Sequence, residues 1–129
     1  MARARRRMSD QRILIVDRDA PSRERLGRQF SRRGWSVALA ATVAEARARL
    51  DPPPLCILLE LALDDAPGET LLRQVADDNL PTRVVLCTGA SDPVRLARAA
   101  RLGPEALFGK PIDVEEVERA CEPAETGSC

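Results

Sequence analysis

Four short apolar runs in this chain each lead to a polar side chain, and segments with helical periodicity lie between them. The runs are Ile13-Leu14-Ile15-Val16 before Asp17, Leu55-Cys56-Ile57-Leu58-Leu59 before Glu60, Val84-Val85-Leu86-Cys87 before Thr88, and Ala106-Leu107-Phe108 shortly before Lys110. Continuous apolar runs of this length suit strands buried on both faces, as in parallel sheets covered by helices. With a further strand over Val37 to Leu39, the alternation predicts an α/β domain of five strands and five helices around a parallel sheet. In such a sheet the ligand crevice lies beyond the carboxyl ends of the strands. Asp17, Glu60, Thr88 and Lys110 are therefore expected to converge on one site.

Punctuation residues divide the chain consistently with that reading. The first helix is expected from Pro21 to Arg33, with Asp19 capping its start, Leu26 and Phe30 forming an apolar stripe, and Gly34 capping its end. Thr42-Val43-Ala44-Glu45 is a capping box that opens the second helix, which Pro52-Pro53-Pro54 should stop. The loop from Asp64 to Gly68, with Asp64 and Asp65 as solvated acids, leads to a helix bearing Leu71, Leu72 and Val75. Asp92-Pro93 opens a fourth helix closed by Gly103, and Asp113 opens the fifth. Residues 1–11, with Arg3, Arg5, Arg6 and Arg7, read as a disordered basic leader in which Met8 is an alternative start. Residues 12–121 read as one domain and residues 122–129 as a flexible tail.

Composition narrows the chemistry. A chain of 129 residues can bury a core without disulfides or metal. With Trp35, Phe30 and Phe108 as its aromatic residues, that core must be aliphatic. The absence of histidine removes imidazole acid/base catalysis, histidine metal ligation and phosphohistidine relay. Cys56, Cys87, Cys121 and Cys129 show no CxxC spacing and read as small buried apolar residues rather than a zinc site. Balanced charge favours no polyanionic partner. No apolar stretch is long enough for a membrane span or a secretory signal, so a cytoplasmic setting is expected. No glycine-rich loop follows the first strand, which argues against nucleotide or flavin binding and against an enzyme. Among twenty cationic residues nineteen are Arg, and the lone lysine, Lys110, precedes Pro111. A compact ammonium on a flexible stem suits a site that a planar guanidinium fork would not.

Over residues 12–121 these motifs jointly resemble the response-regulator receiver domain of two-component signalling. Ile13-Leu14-Ile15-Val16-Asp17 is similar to the family's first strand and acidic corner. Thr88-Gly89-Ala90 is similar to the switch threonine and small residue, and Leu107-Phe108-Gly109-Lys110-Pro111 to the lysine motif, whose Lys-Pro bond is typically cis. The resemblance implies a flavodoxin-like, doubly wound (βα)5 fold with strand order 2-1-3-4-5. It makes Asp17 and Arg18 the acidic corner, Glu60 the phosphoacceptor equivalent, Thr88 the phosphate-sensing hydroxyl and Lys110 the phosphate-binding ammonium. Three positions depart from the pattern: Arg18 replaces an acid, Glu60 replaces the acceptor aspartate, and Leu107 replaces an aromatic that swings with the threonine.

These departures imply altered chemistry. The family pattern carries three carboxylates and an ammonium, which attract Mg²⁺; here Asp17, Arg18, Glu60 and Lys110 cancel in charge. Weak or absent Mg²⁺ binding and loss of phosphorylation are expected, with no other cofactor. Glu60 also advances its carboxylate by about 1.5 Å, one C–C bond, into the space of a phosphoryl group. A misplacement of about 1 Å can cost roughly a hundredfold in rate. Glu60 could then accept from Lys110, Thr88 and Arg18, the last standing where the metal would sit, as a metal-free imitation of the phosphorylated site. Alternatively the site has decayed to an inert module with Arg18 turned to solvent, or Glu60 is itself an unusual phosphoacceptor. Partners implied are a histidine kinase, a regulator or an output protein. Arg95, Arg98 and Arg101, facing Glu115 and Glu118 of the last helix, form a candidate homodimer face. Nucleic-acid association through the Arg-rich leader is the remaining alternative, without support from a basic body.

Overall fold

Three central strands buried on both faces organise the molecule, a computed structural model that describes residues 11–89 and 92–122. Strands β1 (Arg12–Val16), β2 (Ser36–Ala40), β3 (Cys56–Leu59), β4 (Arg83–Thr88) and β5 (Ala106–Gly109) alternate with helices α1 (Ala20–Arg32), α2 (Val43–Arg47), α3 (Glu69–Asp77), α4 (Pro93–Arg101) and α5 (Val114–Cys121). All pairings are parallel and the order is β2-β1-β3-β4-β5, the expected flavodoxin-like arrangement. The expected leader, apart from Gln11, and the tail beyond Glu122 lie outside the described residues, as do Ala90 and Cys129.

Because successive strand residues point to opposite faces, each strand contributes to two cores. Leu14, Val16, Ile57, Leu59, Val84 and Leu86 pack with residues of α2, α3 and α4 such as Ala46, Leu71 and Ala99. Ile13, Ile15, Cys56, Leu58, Val85 and Cys87 pack instead with Leu26 and Phe30 of α1, Trp35, and Val117 and Cys121 of α5. Cys56, Cys87 and Cys121 are free and buried, as expected of small apolar residues. Among the described residues no helix is long and apolar enough to cross a membrane.

Caps follow the sequence with two differences. Asp19 Oδ2 accepts from Ser22 N at 3.0 Å, Asp92 Oδ1 from Val94 N, and Asp113 Oδ1 from Glu115 N and Glu116 N. Gly34 (φ +94°) and Gly103 (φ +83°) end α1 and α4 in the left-handed conformation that glycine adopts without strain. Thr42 Oγ1 accepts from Glu45 N, while the Glu45 carboxylate reaches back to Ala41 N rather than to Thr42 N. The first difference is α2, which ends well before the proline triplet. Tight i−3 bonds at Arg49 and Leu50 close the helix and drop Leu50 into the core. The second is the loop after β3, whose acids are exposed but engaged: Asp65 accepts from Val43 N and Ala44 N at the start of α2, and Asp64 pairs with Arg18.

That loop closes tightly on itself. Gly68 N donates to Leu61 O at 2.8 Å, and a Cβ added to Gly68 would stand 2.4 Å from Glu60 O and 2.9 Å from Leu61 Cα. Both obstacles are backbone, which cannot swing aside as a side chain can. Gly68→Ala should therefore lower the urea midpoint by the equivalent of roughly 1–3 kcal/mol through overpacking, with an unchanged m-value; an unaltered midpoint would mean that the loop yields freely.

Candidate functional site

The strand ends deliver buried polar groups to one place. Val16 pairs with Leu59, and Leu59 with Leu86, so Asp17 and Glu60 emerge level with each other and Thr88 ends β4 one residue farther on. Asp17, Glu60 and Thr88 are the buried polar or charged residues among those described. Burying them costs solvation that only partners can return. Their placement is fixed by backbone: Asp17 N donates to Ala40 O, Glu60 N to Val16 O, and Lys110 N to Thr88 O. The Lys110-Pro111 bond is cis, in keeping with the resemblance.

Lys110 supplies the countercharge. Its Nζ donates to Asp17 Oδ2 at 2.6 Å and lies 3.0 Å from Glu60 Oε1, joining two carboxylates that face each other at the sheet's end. Glu60 is further held by Thr88 Oγ1 and Ala62 N on Oε2 and by Gly89 N, 3.3 Å from Oε1. Asp17 Oδ1 accepts from Asp19 N, which leads into α1. Arg23 of α1 donates to Asp17 O, so the acidic corner is anchored from both its backbone and its side chain.

Burial pushes the Glu60 carboxyl upward, but hydrogen bonds from Thr88, Lys110 and Ala62 outweigh it and hold the group below the usual glutamate range. Burial likewise pulls Lys110 down, and the bonds to Asp17 and Glu60 more than reverse this, leaving it raised. Both groups therefore carry full charge at neutral pH.

Other expected site residues are placed differently. Arg18 does not approach Glu60: it is exposed, and its guanidinium donates to Asp64 at 3.1 Å. The reason is the strand-end alternation, which turns Asp17 inward and its neighbour outward, where Asp64 meets Arg18 without the desolvation cost of a buried cation. Leu107, opposite Leu86 in β5, packs partly buried against the α2–α3–α4 core. Of the charged residues expected to face outward on the last helices, Arg98, Arg101 and Glu115 are exposed, but Arg95 and Glu118 are committed internally. Arg95 grips both oxygens of Glu69 at 2.9 Å and donates to Leu61 O at 2.7 Å. Glu118 accepts from Arg33 Nε and Trp35 Nε1, each at 2.7 Å. The buried indole N–H needed an acceptor; nothing in the sequence said which acid would supply it.

The family model for the response regulator receiver domain matches residues 13–122, and the chain belongs to that family. It is a receiver domain of two-component signalling, similar to the acid tolerance regulatory protein ActR of Rhizobium meliloti (31% identical over 110 residues, 84% of this chain and 56% of the relative). It is also similar to the photosynthetic apparatus regulatory protein RegA of Cereibacter sphaeroides (29%, 87% of this chain and 61% of the relative). The chain thus spans little more than half the length of those regulators. Sporulation initiation phosphotransferase F of Bacillus subtilis is matched along most of both chains, 88% of this one and 92% of the relative, at 28% identity. Among solved structures, a CheY-like receiver domain from Methanospirillum hungatei superposes with a TM-score of 0.78 at 24% identity, over 84% of this chain and 88% of that one. At that identity the likeness speaks for the fold.

Because Glu60 is depressed, its contribution to stability is complete above the unfolded glutamate pKa of about 4.3 and is lost as pH falls through the lower folded value. For Lys110 the sign reverses: its contribution is complete below about pH 10.4 and is lost as pH rises through the raised folded value. Urea midpoints of the wild type should fall more steeply on the acid side than those of Glu60→Gln, which cannot titrate there. Parallel acid limbs would show that Glu60 is not held as described.

Proposed function

We propose that this receiver signals without being phosphorylated and without Mg²⁺, by protein contact, with Glu60 standing in the phosphoryl group's place. One observation carries the reading: the Glu60 carboxylate already takes the Thr88 hydroxyl, the Gly89 N–H and the Lys110 ammonium. In the family resemblance, the Thr88 and Lys110 equivalents serve the phosphoryl group. A phosphoryl group arriving on Glu60 would have to displace these donors and then fit beyond a carboxylate that is already one bond too far forward.

The donor set also fits a magnesium ion poorly. Mg²⁺ asks for near-octahedral oxygen ligands and gives up its water reluctantly. Asp17 and Glu60 both share Lys110, the third family carboxylate is replaced by Arg18, and among the described residues no group of three or more acids or other metal-binding side chains is gathered to hold an ion. Arg18, paired with Asp64, does not fill the vacated place, so the imitation rests on Glu60, Thr88 and Lys110 alone. It is a partial imitation, since a carboxylate offers one charge and two oxygens against nearly two charges and three oxygens. The output is read by a signalling protein; a self-complementary contact using Arg98 and Arg101 of α4 and Glu115 of α5, all exposed, is one route.

A small acyl-phosphate donor with millimolar Mg²⁺ should leave the wild type unmodified by mass spectrometry, and Mg²⁺ should not shift the amide resonances of Thr88 and Gly89. Arg18→Asp combined with Glu60→Asp should acquire an acid-stable, hydroxylamine-labile phosphoryl adduct. Ready phosphorylation of the wild type would overturn the reading in favour of a glutamate acceptor.

A further inference from the structure

The sheet's free margin at β2 carries features unrelated to the phosphoryl site. β2 is the terminal strand, hydrogen-bonded to β1 alone among the described strands. Ser36 N donates to Gln11 O, and Ala40 O accepts from Asp17 N, so the even-numbered members turn their backbone groups toward β1. By the alternation of a parallel ladder, the N–H and C=O of Val37 and Leu39 face outward. Natural edge strands are usually blunted by Lys, Pro or an inward charge. Ser36-Val37-Ala38-Leu39-Ala40 contains none of these.

Beside this edge, between α1 and β2, runs a groove of about 480 Å³ lined by Gly27, Val37 and Leu39 and by Glu24, Arg28, Ser31 and Arg32 of α1, two cationic side chains against one acid. Gly27 brings α1 close over the strand: a Cβ there would stand 3.2 Å from Leu39 Cδ2. Arg25, Arg28 and Arg32 follow one another at three- and four-residue spacing along one face of α1. All three are exposed. Arg18, Arg33, Arg83 and Arg95 are held in ion pairs elsewhere on the domain. Arg25, Arg28 and Arg32 make no ion pair or side-chain hydrogen bond with any described residue. The imbalance is regional: arginine outnumbers acids over residues 12–59, which build this side of the sheet, while acids outnumber bases over residues 60–122.

The geometry points to β2 as a docking edge for an extended acidic peptide of a partner protein, added as a sixth strand. Its backbone pairs with the outward groups of Val37 and Leu39, which gives affinity, and its alternate side chains give specificity. On the α1 face, glutamate stems lie along Val37 and Leu39, and their carboxylates reach Arg28 and Arg32 as charge-assisted hydrogen bonds. On the other face, small apolar side chains meet Ala38. A second copy of this chain is a poorer occupant, because pairing β2 with β2 brings two arginine stripes together. The proposal does not depend on how residue 60 works.

The test uses a fluorescein-labelled hexapeptide alternating Glu and Val, titrated into the full chain. Submillimolar binding is expected, with the Val37 and Leu39 amide resonances shifting most. Arg28→Glu with Arg32→Glu should weaken it at least about tenfold, as should a peptide with Lys in place of Glu. N-methylating the peptide at one alternate set of residues should abolish binding while the other set is tolerated, a pattern that only edge pairing produces and that leaves the protein unaltered. Tolerance of both sets, equal binding of the Lys peptide, no binding up to about 1 mM, or shifts mapping away from β2 would each overturn the proposal. So would sedimentation showing that the protein alone dimerises through these same amides.

Discussion

Two carboxylates held by one ammonium govern how this domain is put together. Asp17 and Glu60 are buried at the ends of adjacent strands, and like charges so placed repel unless a cation stands between them. Lys110 does so from the far side of the sheet, across β4. Its reach ties β5 to β1 and β3, and the hydrogen bond from Thr88 brings β4 into the same cluster. The neutralising role falls to a residue of the chain itself, so this part of the charge balance comes with folding.

Strand ends were readable because burial on both faces leaves a plain record, an apolar run broken by a polar residue. Asp17, Glu60, Thr88 and Lys110 could be expected to meet for that reason, and the caps at Asp19, Asp92 and Asp113 and the turns at Gly34 and Gly103 follow local rules of backbone hydrogen bonding and allowed φ. Partner choice between distant side chains left no such record. Arg18 could have turned to Glu60 or to solvent, and its outward course depends on strand pleat and on Asp64, far along the chain. Arg95 and Glu118 looked like ordinary outward charges on periodic helices; their partners, Glu69, Leu61 O, Arg33 and Trp35, come close only once the helices are packed. The early end of α2 was hidden for a similar reason, since the burial of Leu50 decides it and the prolines farther on do not.

Family membership is compatible with the residues found at positions 18, 60 and 107 because the fold and the strand-end site draw on different residues. The fully buried residues of the two cores, largely aliphatic apart from Phe30 and Trp35, do not include residues 18 and 107, and residue 60 lies at their edge as a polar group. Those exchanges fall at strand ends or in the partly buried β5, where substitution changes charge and reach without emptying the core. Retaining Lys110 and Thr88 while changing their neighbours leaves donors that still need an acceptor, and Glu60 meets that need.

The segment from Leu61 to Gly68 is fastened on three sides: Asp64 to Arg18, Asp65 to the start of α2, and Leu61 O to Arg95 of α4. It behaves mechanically as a tie-rod spanning the top of the domain, with Glu60 at its root. Through these bonds the loop that begins at residue 60 touches both α2 and α4, two helices on the same side of the sheet.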